Sequence, residues 1–242
     1  MSTTNMRIWE QVQATDTRYT KNAEVGGQKI TSLNGTAMVM KATEVFGPVG
    51  IGWGWKVLEE RFDDGHEVYA GDGDKRICLG REIGHTVKIQ LWFMQDGQRG
   101  EVEQYGCTRY QYKTKYGMTT DGEAPKKSLT DAIKKALSML GFSADVFLGM
   151  FDDQNYVQQL QAEQAIEHAD DKAAEQERQR LERLDWLKSS VETMAGAVTM
   201  HELKTLYTRF IKNATARNEA AFIRRITETY ESRKSYLEDK AA

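Results

Sequence analysis

Cysteine, proline and long apolar runs are all scarce in this sequence of 242 residues. The two cysteines, Cys78 and Cys107, lie 29 positions apart without a CxxC partner, so we expect reduced thiols rather than a disulfide or a zinc site. No run of about 18 apolar residues occurs, and the first ten residues lack the basic and apolar regions of a secretory signal. These absences predict a cytoplasmic protein without a membrane span.

Sequence motifs of nucleotide-driven and metal-dependent enzymes are missing as well. A phosphate-binding loop needs a Gly-Lys-Ser or Gly-Lys-Thr triplet, and the sequence contains neither. The four histidines stand alone, without an HExxH pattern, and no GxSxG nucleophile motif is present. We therefore expect no catalytic residues, no cofactor and no bound metal.

One acidic run, within residues 63–74, leaves a second function open. Its carboxylates are ligands of the kind that Mg²⁺ uses in nucleases. They also alternate with glycines, as in solvated hairpin turns, and their spacing differs from that of an EF-hand. A metal-dependent nuclease is the alternative hypothesis, and its residues would be Asp63, Asp64, Glu67, Asp72 and Asp74.

The net charge is only −3, but the charges are unevenly distributed. Residues 109–135 contain seven cations and three anions, whereas residues 163–182 are rich in Glu, Asp and Gln. A local basic surface supports nucleic-acid binding even when the whole chain is weakly acidic. The segregation therefore predicts a basic groove formed by part of the chain.

Asp-Gly pairs divide the middle of the chain into short segments. They occur at residues 64–65, 72–73 and 96–97, and such pairs supply the positive φ angles of tight hairpin turns. A helix is predicted before them at Gly35–Phe46, ended by Gly47-Pro48. The predicted strands are 50–58, 76–79, 85–94 and 101–112. The expected fold is α+β, with an antiparallel β-meander packed on helices.

Residues 128–140 repeat apolar side chains with a helical period and predict a packed helix. Ser128 and Asp131 fit a capping box at its start, Pro125 fits a start one turn earlier, and Gly141 fits a C-terminal cap. Because its lysines lie opposite the apolar stripe or on its flank, we expect them to point away from the core. Solvated lysines do the same, so periodicity alone assigns them no role.

Basic and aromatic residues alternate just before this helix. In a strand, Tyr110 and Tyr112 share one face, while Arg109, Lys113 and Lys115 lie on the other. Proteins that bind single strands use cations for phosphates and flat side chains for unstacked bases. The pattern is compatible with a nucleic-acid groove and equally with ordinary strand packing.

The last third of the chain changes composition. Residues 157–183 are mostly Gln, Glu, Ala and Arg, which predicts a charged helical linker. Residues 184–242 regain amphipathic periodicity in three short runs, the second opened by a capping box from Thr199 to Glu202. We predict a core domain at 1–156, the linker, and a small helical bundle at 184–242.

Two blocks of motifs resemble the Rad52 family of single-strand annealing proteins, and their order and spacing match over about residues 19–156. The first block is Gly26-Gly27-Gln28-Lys29, Leu33-Asn34-Gly35 and Ala42-Thr43-Glu44-Val45-Phe46-Gly47, leading to Gly52-Trp53. The second is Tyr116-Gly117-Met118, Ser128-Leu129-Thr130-Asp131-Ala132-Ile133-Lys134-Lys135-Ala136-Leu137, Leu140-Gly141-Phe142 and Asp152-Asp153-Gln154-Asn155-Tyr156.

The resemblance implies a β-β-β-α core that forms rings or helical filaments and holds DNA in a basic groove. Lys134 and Lys135 match the paired basic residues of that groove, and Lys126 matches another cation. Ala37 and Ser138 stand where relatives carry arginines, so other cations are candidates to replace the missing charge. The candidate DNA-binding residues are Lys134, Lys135, Lys126, Lys127, Lys41, Arg109, Lys113, Lys115, Tyr110 and Tyr112.

The function implied by the resemblance is ATP-independent binding and annealing of single-stranded DNA in recombination or double-strand break repair. The protein would not be an enzyme, and its partners would be single strands, the annealed duplex and further copies of itself. The insert at residues 59–84 is longer than expected for eukaryotic members, which indicates a bacteriophage or prophage type acting in the host cytoplasm. By analogy with phage recombination systems, we expect residues 184–242 to bind a host single-strand binding protein or a phage exonuclease, or to stabilise the oligomer.

Overall fold

The computed structural model describes residues 4–25, 27–71 and 76–241. The chain begins with a 3₁₀ turn at Thr4–Met6, helix α1 at Arg7–Val12 and a second 3₁₀ turn at Thr17–Tyr19. Strands β1, Thr20–Val25, and β2, Gln28–Leu33, then form an antiparallel hairpin. Between the two strands Gly27 has φ of 82°, and Gly26 lies outside the described residues.

Helix α2 covers Gly35–Phe46, as predicted. The Asn34 side chain caps its start by accepting hydrogen bonds from the backbone N–H groups of Thr36, at 2.9 Å, and Ala37, at 3.4 Å. Gly47 ends the helix with φ of 95°, a conformation that glycine adopts without a steric penalty. Local chemistry thus determines both ends of α2.

The main sheet is a four-stranded antiparallel meander with the order β3-β4-β5-β6. Its strands are β3, Trp53–Ala70, β4, Ile77–Gln95, β5, Gln98–Thr114, and β6, Gly117–Thr120. The α+β fold with an antiparallel meander is therefore confirmed. Strand β6, which pairs with the end of β5, is missing from the sequence-based prediction.

Two of the predicted strand boundaries are wrong. Asp64-Gly65 is not a turn, because β3 continues through it and Asp64 pairs with Ile83 of β4. A register shift between Asp64 and Glu67 accommodates the irregular sequence within the strand. The predicted strands at 76–79 and 85–94 are likewise parts of the single strand β4. The predicted turn at 72–73 lies outside the described residues.

The Asp96-Gly97 turn is confirmed. Asp96 has φ of 52° and Gly97 φ of 77°, and the turn joins β4 to β5 with Gln95 opposite Gln98. Two consecutive positive φ angles match the right-handed twist of the flanking strands. Asp96 and Gly97 are not paired with another strand of the described chain, so their own preference for positive φ angles determines the turn.

Helix α3 covers Ala124–Ser138 and contains Pro125 in its first turn, so the earlier of the two predicted starts is correct. The predicted capping box is wrong. Ser128 is fully buried within the helix, and Asp131 forms an ion pair with Lys135. Gly141 follows the helix end by three residues, with φ of 97°, and a short helix α4 lies at Ala144–Phe147.

The hydrophobic core of this first unit lies between one face of the sheet and helices α1 to α3. Strand β4 contributes its alternate residues Val87, Ile89, Leu91 and Phe93, which are buried. The buried side chains packed against them include Val12, Met38, Ala42, Phe46, Trp53, Ile133, Leu137 and Phe142. This arrangement positions α3 on the sheet with its polar side outward.

The chain divides into two compact units, Met1–Met150 and Phe151–Ala242. A 3₁₀ turn, Met150–Asp152, spans the boundary. The second unit contains α5, Gln154–His168, α6, Lys172–Ala195, α7, Met200–Ala216, and α8, Ala220–Ala241. Residues 157–183 lie in α5, in α6 and in the three residues that connect them. The predicted three-helix segment is confirmed as α6, α7 and α8, with a core of its own around Met194, Leu203, Phe210 and Ile226.

The Thr199 side chain accepts a hydrogen bond of 3.2 Å from the Glu202 backbone N–H, which confirms the capping interaction at the start of α7. Among the described residues, no helix has both the length and the apolar character that are needed to cross a bilayer.

Candidate nucleic-acid interface

The exposed side of α3 carries two rows of polar residues, because side chains four positions apart lie one above the other on a helix. The first row contains Lys126, Thr130 and Lys134, and the Thr130 hydroxyl donates to the Lys126 carbonyl oxygen at 2.9 Å. The second row contains Lys127, Asp131 and Lys135. The four lysines of α3 therefore point in two directions.

The side of α3 that faces β5 carries a row of small residues that allow a close approach to the sheet. These residues are Ala124, Ser128, Ala132 and Ala136, all of them buried. A Cβ atom added to Gly106 of β5 would lie 1.9 Å from the Ser128 carbonyl oxygen and 2.5 Å from the Ala132 nitrogen. Backbone contact between α3 and β5 thus determines which side of the helix presents the lysines.

Lys134 is the lysine of α3 for which the described part of the chain contains no ion-pair partner, whereas the other three are paired. It is half-buried and lies beside the start of α2. A Cβ atom added to Gly35 would be 3.9 Å from Lys134 Cδ and 2.5 Å from Thr130 Cγ2. Because the N-terminus of a helix is the positive end of its dipole, this corner of the molecule attracts anions from two sources.

The remaining lysines of α3 each face a carboxylate of the same region. Lys135 Nζ lies 2.8 Å from Asp131, and Lys126 Nζ lies 2.8 Å from Glu123. Lys127 Nζ lies 2.5 Å from Asp121. The hydrogen bond between these two groups raises the pKa of Lys127 and lowers the pKa of Asp121. DNA would therefore have to compete with these carboxylates for three of the four lysines.

Lys41 lies on α2, where its Nζ is 3.1 Å from Glu44. Ala37 lies on the same helix and contributes no charge. Ser138, at the end of α3, donates its hydroxyl to the Lys135 carbonyl oxygen at 2.8 Å. The two positions at which the resemblance predicts arginines therefore bear one methyl group and one internally bonded hydroxyl, and the basic charge of the region comes from lysines.

A sequence model of the Rad52/22 family of double-strand break repair proteins matches residues 5–171 of the chain. The chain belongs to the Rad52/22 family. The match includes the two motif blocks described above and helices α2 and α3. No curated protein matches the chain. Membership places the protein in DNA double-strand break repair and recombination, and it implies DNA binding and oligomerisation.

Strand β5 of this Rad52/22 family chain carries the other cations predicted to bind DNA. Arg109 and Lys113 are exposed, and Lys113 Nζ donates to the Tyr69 carbonyl oxygen at 3.0 Å. Lys115 lies in the turn between β5 and β6, and its Nζ is 4.9 Å from the centre of the Tyr116 ring. The structure therefore places these cations along the end of β5, apart from the lysine rows of α3.

The two tyrosines predicted to stack on bases are half-buried. The Tyr110 ring packs edge-on against Phe62 of β3, with ring centres 4.8 Å apart. Tyr112 lies near Lys127, whose pKa it helps to raise. Tyr110 thus has a packing role within the sheet, and Tyr112 is the tyrosine that adjoins a lysine of α3.

The counter-ions of these lysines were missed by the sequence-based prediction. Glu123 precedes Lys126 by three residues, and Asp131 precedes Lys135 by four. Opposite charges at these spacings face each other on a helix, so this part of the pattern is readable from the sequence. The Asp121–Lys127 pair lies six residues apart and depends on the loop before α3.

The acidic run of the alternative hypothesis is engaged with cations and hydroxyls. Asp63 accepts a hydrogen bond of 2.6 Å from Thr86 and one of 2.7 Å from Arg61, and the bond with Thr86 contributes most to lowering its pKa. Arg81 lies 2.8 Å from Asp64 and 3.6 Å from Glu67. Asp72 and Asp74 lie outside the described residues. Within the described ranges, no three His, Cys, Asp or Glu side chains are grouped so that they could hold a metal ion.

Proposed function

We propose that this Rad52/22 family protein binds single-stranded DNA through α3 and anneals complementary strands without ATP. It acts by holding strands rather than by covalent chemistry, and the annealed duplex is its product. The contacting side chains are Lys134, Lys135, Lys126, Lys127, Lys41, Arg109, Lys113, Lys115, Tyr110 and Tyr112, with Lys134 at the centre.

The observation that carries this proposal is the position of Lys134. Its ammonium group is without an ion-pair partner in the described part of the chain, and its Cδ atom lies beside Gly35 at the start of α2, the positive end of that helix dipole. A phosphate at this corner meets two favourable fields and displaces no carboxylate from Lys134. The first contact with DNA is therefore expected here.

The paired lysines extend the contact along α3. Their carboxylate partners are exposed or half-buried, and solvent-exposed ion pairs contribute little net stabilisation. Phosphates along a strand replace such carboxylates at a small cost and release the counterions condensed on the DNA. Binding should therefore weaken steeply as the salt concentration rises.

Oligomerisation is proposed to take the form of a ring or filament that involves β3. This strand is at the edge of the sheet, and within the described residues it pairs only with β4. An edge strand presents unpaired backbone groups, and β3 also exposes Val57, Leu58 and Phe62. We expect Leu58→Lys to lower the oligomer mass measured by light scattering. An unchanged mass would place the subunit contact elsewhere.

We also propose a phage or prophage origin, with activity in the bacterial cytoplasm. The long hairpin of β3 and β4, which contains the insert at residues 59–84, supports this proposal. Residues 184–242 are proposed to bind a host single-strand binding protein or a phage exonuclease. They belong to a unit that exposes Leu181, Leu184 and Val198. Leu184→Ser/Val198→Ser should weaken calorimetric binding to the partner, and unchanged binding would contradict that site.

The deciding experiment is strand annealing with two complementary oligonucleotides in EDTA, without ATP. Wild type should anneal them, and Lys134→Ala/Lys135→Ala should be slower and bind single strands more weakly. Each lost phosphate contact reduces the slope of log affinity against log salt by about 0.7, so the double variant should lose roughly 1.4. The matched control, Lys56→Ala/Arg99→Ala, removes two cations from the strands of the sheet and should behave as wild type.

The outcomes separate the competing functions. Equal annealing by wild type and Lys134→Ala/Lys135→Ala would contradict the assignment of α3. If the strands did not anneal in EDTA and were cleaved when Mg²⁺ was added, the protein would be a nuclease, because metal-assisted cleavage needs the ion. Equal losses in the α3 variant and the control would show that net charge, rather than the α3 site, determines binding.

A further inference from the structure

Helix α7, in the second unit, has an exposed face that carries only basic and hydroxyl-bearing residues from position 201 to position 215. At 100° per residue these positions occupy an arc of roughly 140°. The opposite side of the helix, with Leu203, Phe210 and Ala214, is buried in the core of this unit. We call the exposed set the α7 face: His201, Lys204, Thr205, Thr208, Arg209, Lys212 and Thr215.

Some cations of the neighbouring helices face acids one turn away, whereas others, such as Lys188 of α6 and Arg224 of α8, form no ion pair among the described residues. On α6, Arg180 lies 3.2 Å from Glu177. On α8, Arg225 lies 3.7 Å from Glu228, and Lys234 lies 3.9 Å from Glu231. Such pairs at three or four positions are the usual pattern of a solvated helix surface.

The cations of the α7 face have no acid three or four positions away on their own helix. In the described ranges, Lys204, Arg209 and Lys212 form no ion pair. The helix contains a single acid, Glu202, whose carboxylate accepts a hydrogen bond of 2.9 Å from the Val198 backbone N–H at the start of the helix. The three cations therefore outnumber the one acid of α7 and produce a net positive field along the helix.

We propose that the α7 face binds the phosphate backbone of single-stranded DNA, as a second contact separate from α3. At a rise of about 1.5 Å per residue, Lys204 and Lys212 lie about 12 Å apart along the helix, with Arg209 between them. A row of cations interspersed with threonine hydroxyls complements a chain of regularly spaced phosphates. The face exposes no Phe, Tyr or Trp side chain for stacking and has His201 as its one aromatic ring, so the contact should depend little on base sequence.

Nucleic acid fits this face better than a protein partner does. Protein interfaces have an apolar, well-packed centre in which charged residues are depleted. The α7 face has no large apolar residue, and its seven positions hold four basic side chains and three threonines. A polyanion needs no such centre, because its affinity comes from neutralised phosphates and released counterions.

The test uses the full chain and two triple variants that remove the same charge from the same unit. Lys204→Gln/Arg209→Gln/Lys212→Gln changes the α7 face, and Arg180→Gln/Arg225→Gln/Lys234→Gln changes cations that are already paired. Single-strand affinity is measured over a range of salt concentrations, and thermal melts verify folding. The α7 variant should bind about tenfold more weakly or worse at low salt, with a slope reduced by roughly 2, whereas the control should match wild type. Lys204→Arg/Lys212→Arg should retain the affinity.

Each other outcome overturns the inference. If both triple variants lose affinity equally, or if the α7 variant binds DNA as wild type does, α7 does not contact phosphates. An α7 variant that keeps its DNA affinity but loses binding to a polyglutamate peptide would identify an acidic protein as the ligand. Lys134→Ala/Lys135→Ala in the same titration separates the two sites. If that variant alone loses affinity, the proposed function stands and this inference fails, whereas the reverse result would contradict the α3 assignment.

Discussion

The Ser128 hydroxyl of α3 donates a hydrogen bond of 3.1 Å to the His85 carbonyl oxygen of β4, and both residues are buried. On the adjacent strand, the Ser128 carbonyl group faces Gly106 of β5 without an intervening side chain. The helix that carries the proposed DNA-binding lysines is therefore held to the sheet through backbone contacts. Its position has little freedom to adjust.

Gly106→Ala should destabilise the protein because the new Cβ atom would lie 1.9 Å from the Ser128 carbonyl oxygen, and a helix backbone cannot rotate away. Overpacking of this kind costs about 1–3 kcal/mol or more of unfolding free energy, measurable by chemical denaturation. Gly122→Ala is the control, since an added Cβ atom there meets nothing within 4 Å. Equal stability of the two variants would contradict the close approach of α3 to β5.

Gly35→Ala should push the start of α2 away from α3, because its Cβ atom would lie 2.5 Å from Thr130 Cγ2. We expect lower stability together with weaker binding of single strands, since the α2 terminus moves away from Lys134. Thr130→Ser removes the clashing methyl group and keeps the hydroxyl, so the double variant should regain both properties. Additive effects in this double-mutant cycle, measured by denaturation and by DNA titration, would show that the two residues are not in contact.

Asp121→Asn should increase the affinity for single-stranded DNA several-fold at low salt. Because Lys127 lowers the pKa of Asp121, the carboxyl group stays ionised near neutral pH and competes with phosphate for the lysine. Glu101→Gln removes a carboxylate that pairs with Arg99 on the sheet, so it changes the net charge equally and should have little effect. Fluorescence anisotropy of a labelled oligonucleotide measures the DNA affinity of both variants. An equal increase in affinity would show that the Asp121→Asn effect comes from net charge alone.

Asp145→Ala should destabilise the first unit. The buried Asp145 carboxylate accepts hydrogen bonds from the Thr15 backbone N–H, at 2.8 Å, and from the Thr15 hydroxyl, at 2.5 Å. Thr15 is itself buried, and a buried donor that loses its acceptor costs about 1–3 kcal/mol. Thermal denaturation measures the loss. Asp239→Ala, on the exposed end of α8, is the control. If Asp145→Ala melted at the same temperature as this control, the Asp145 carboxylate would not stabilise the first unit.

The ends of several elements were predictable because local chemistry decides them. Asn34 and Gly47 delimit α2, Thr199 caps α7, and Asp96-Gly97 forms its hairpin turn. In each case the deciding hydrogen bonds or φ angles involve residues within four positions along the chain. The helical period of α3 and the side on which its lysines emerge were predictable for the same reason.

Where distant strands or helices meet, the same local signals failed. Asp64-Gly65 has the composition of a turn but lies within β3. The pairing of this part of β3 with β4 outweighs the turn propensity of the two residues. Ser128 has the composition of a helix cap but is buried, because only a small residue fits against Gly106. In both cases the deciding neighbour lies more than fifteen residues away in the sequence.

The sequence by itself determined the family, the α+β fold class and the presence of two adjacent lysines on α3. Only the tertiary structure distinguished those lysines. Lys135 lies over Asp131 on its own helix, whereas Lys134 faces the start of α2, roughly one hundred residues earlier in the chain. Their side chains are chemically identical, so the charge available to a phosphate depends on which element packs beside each one, and that is a property of the folded chain.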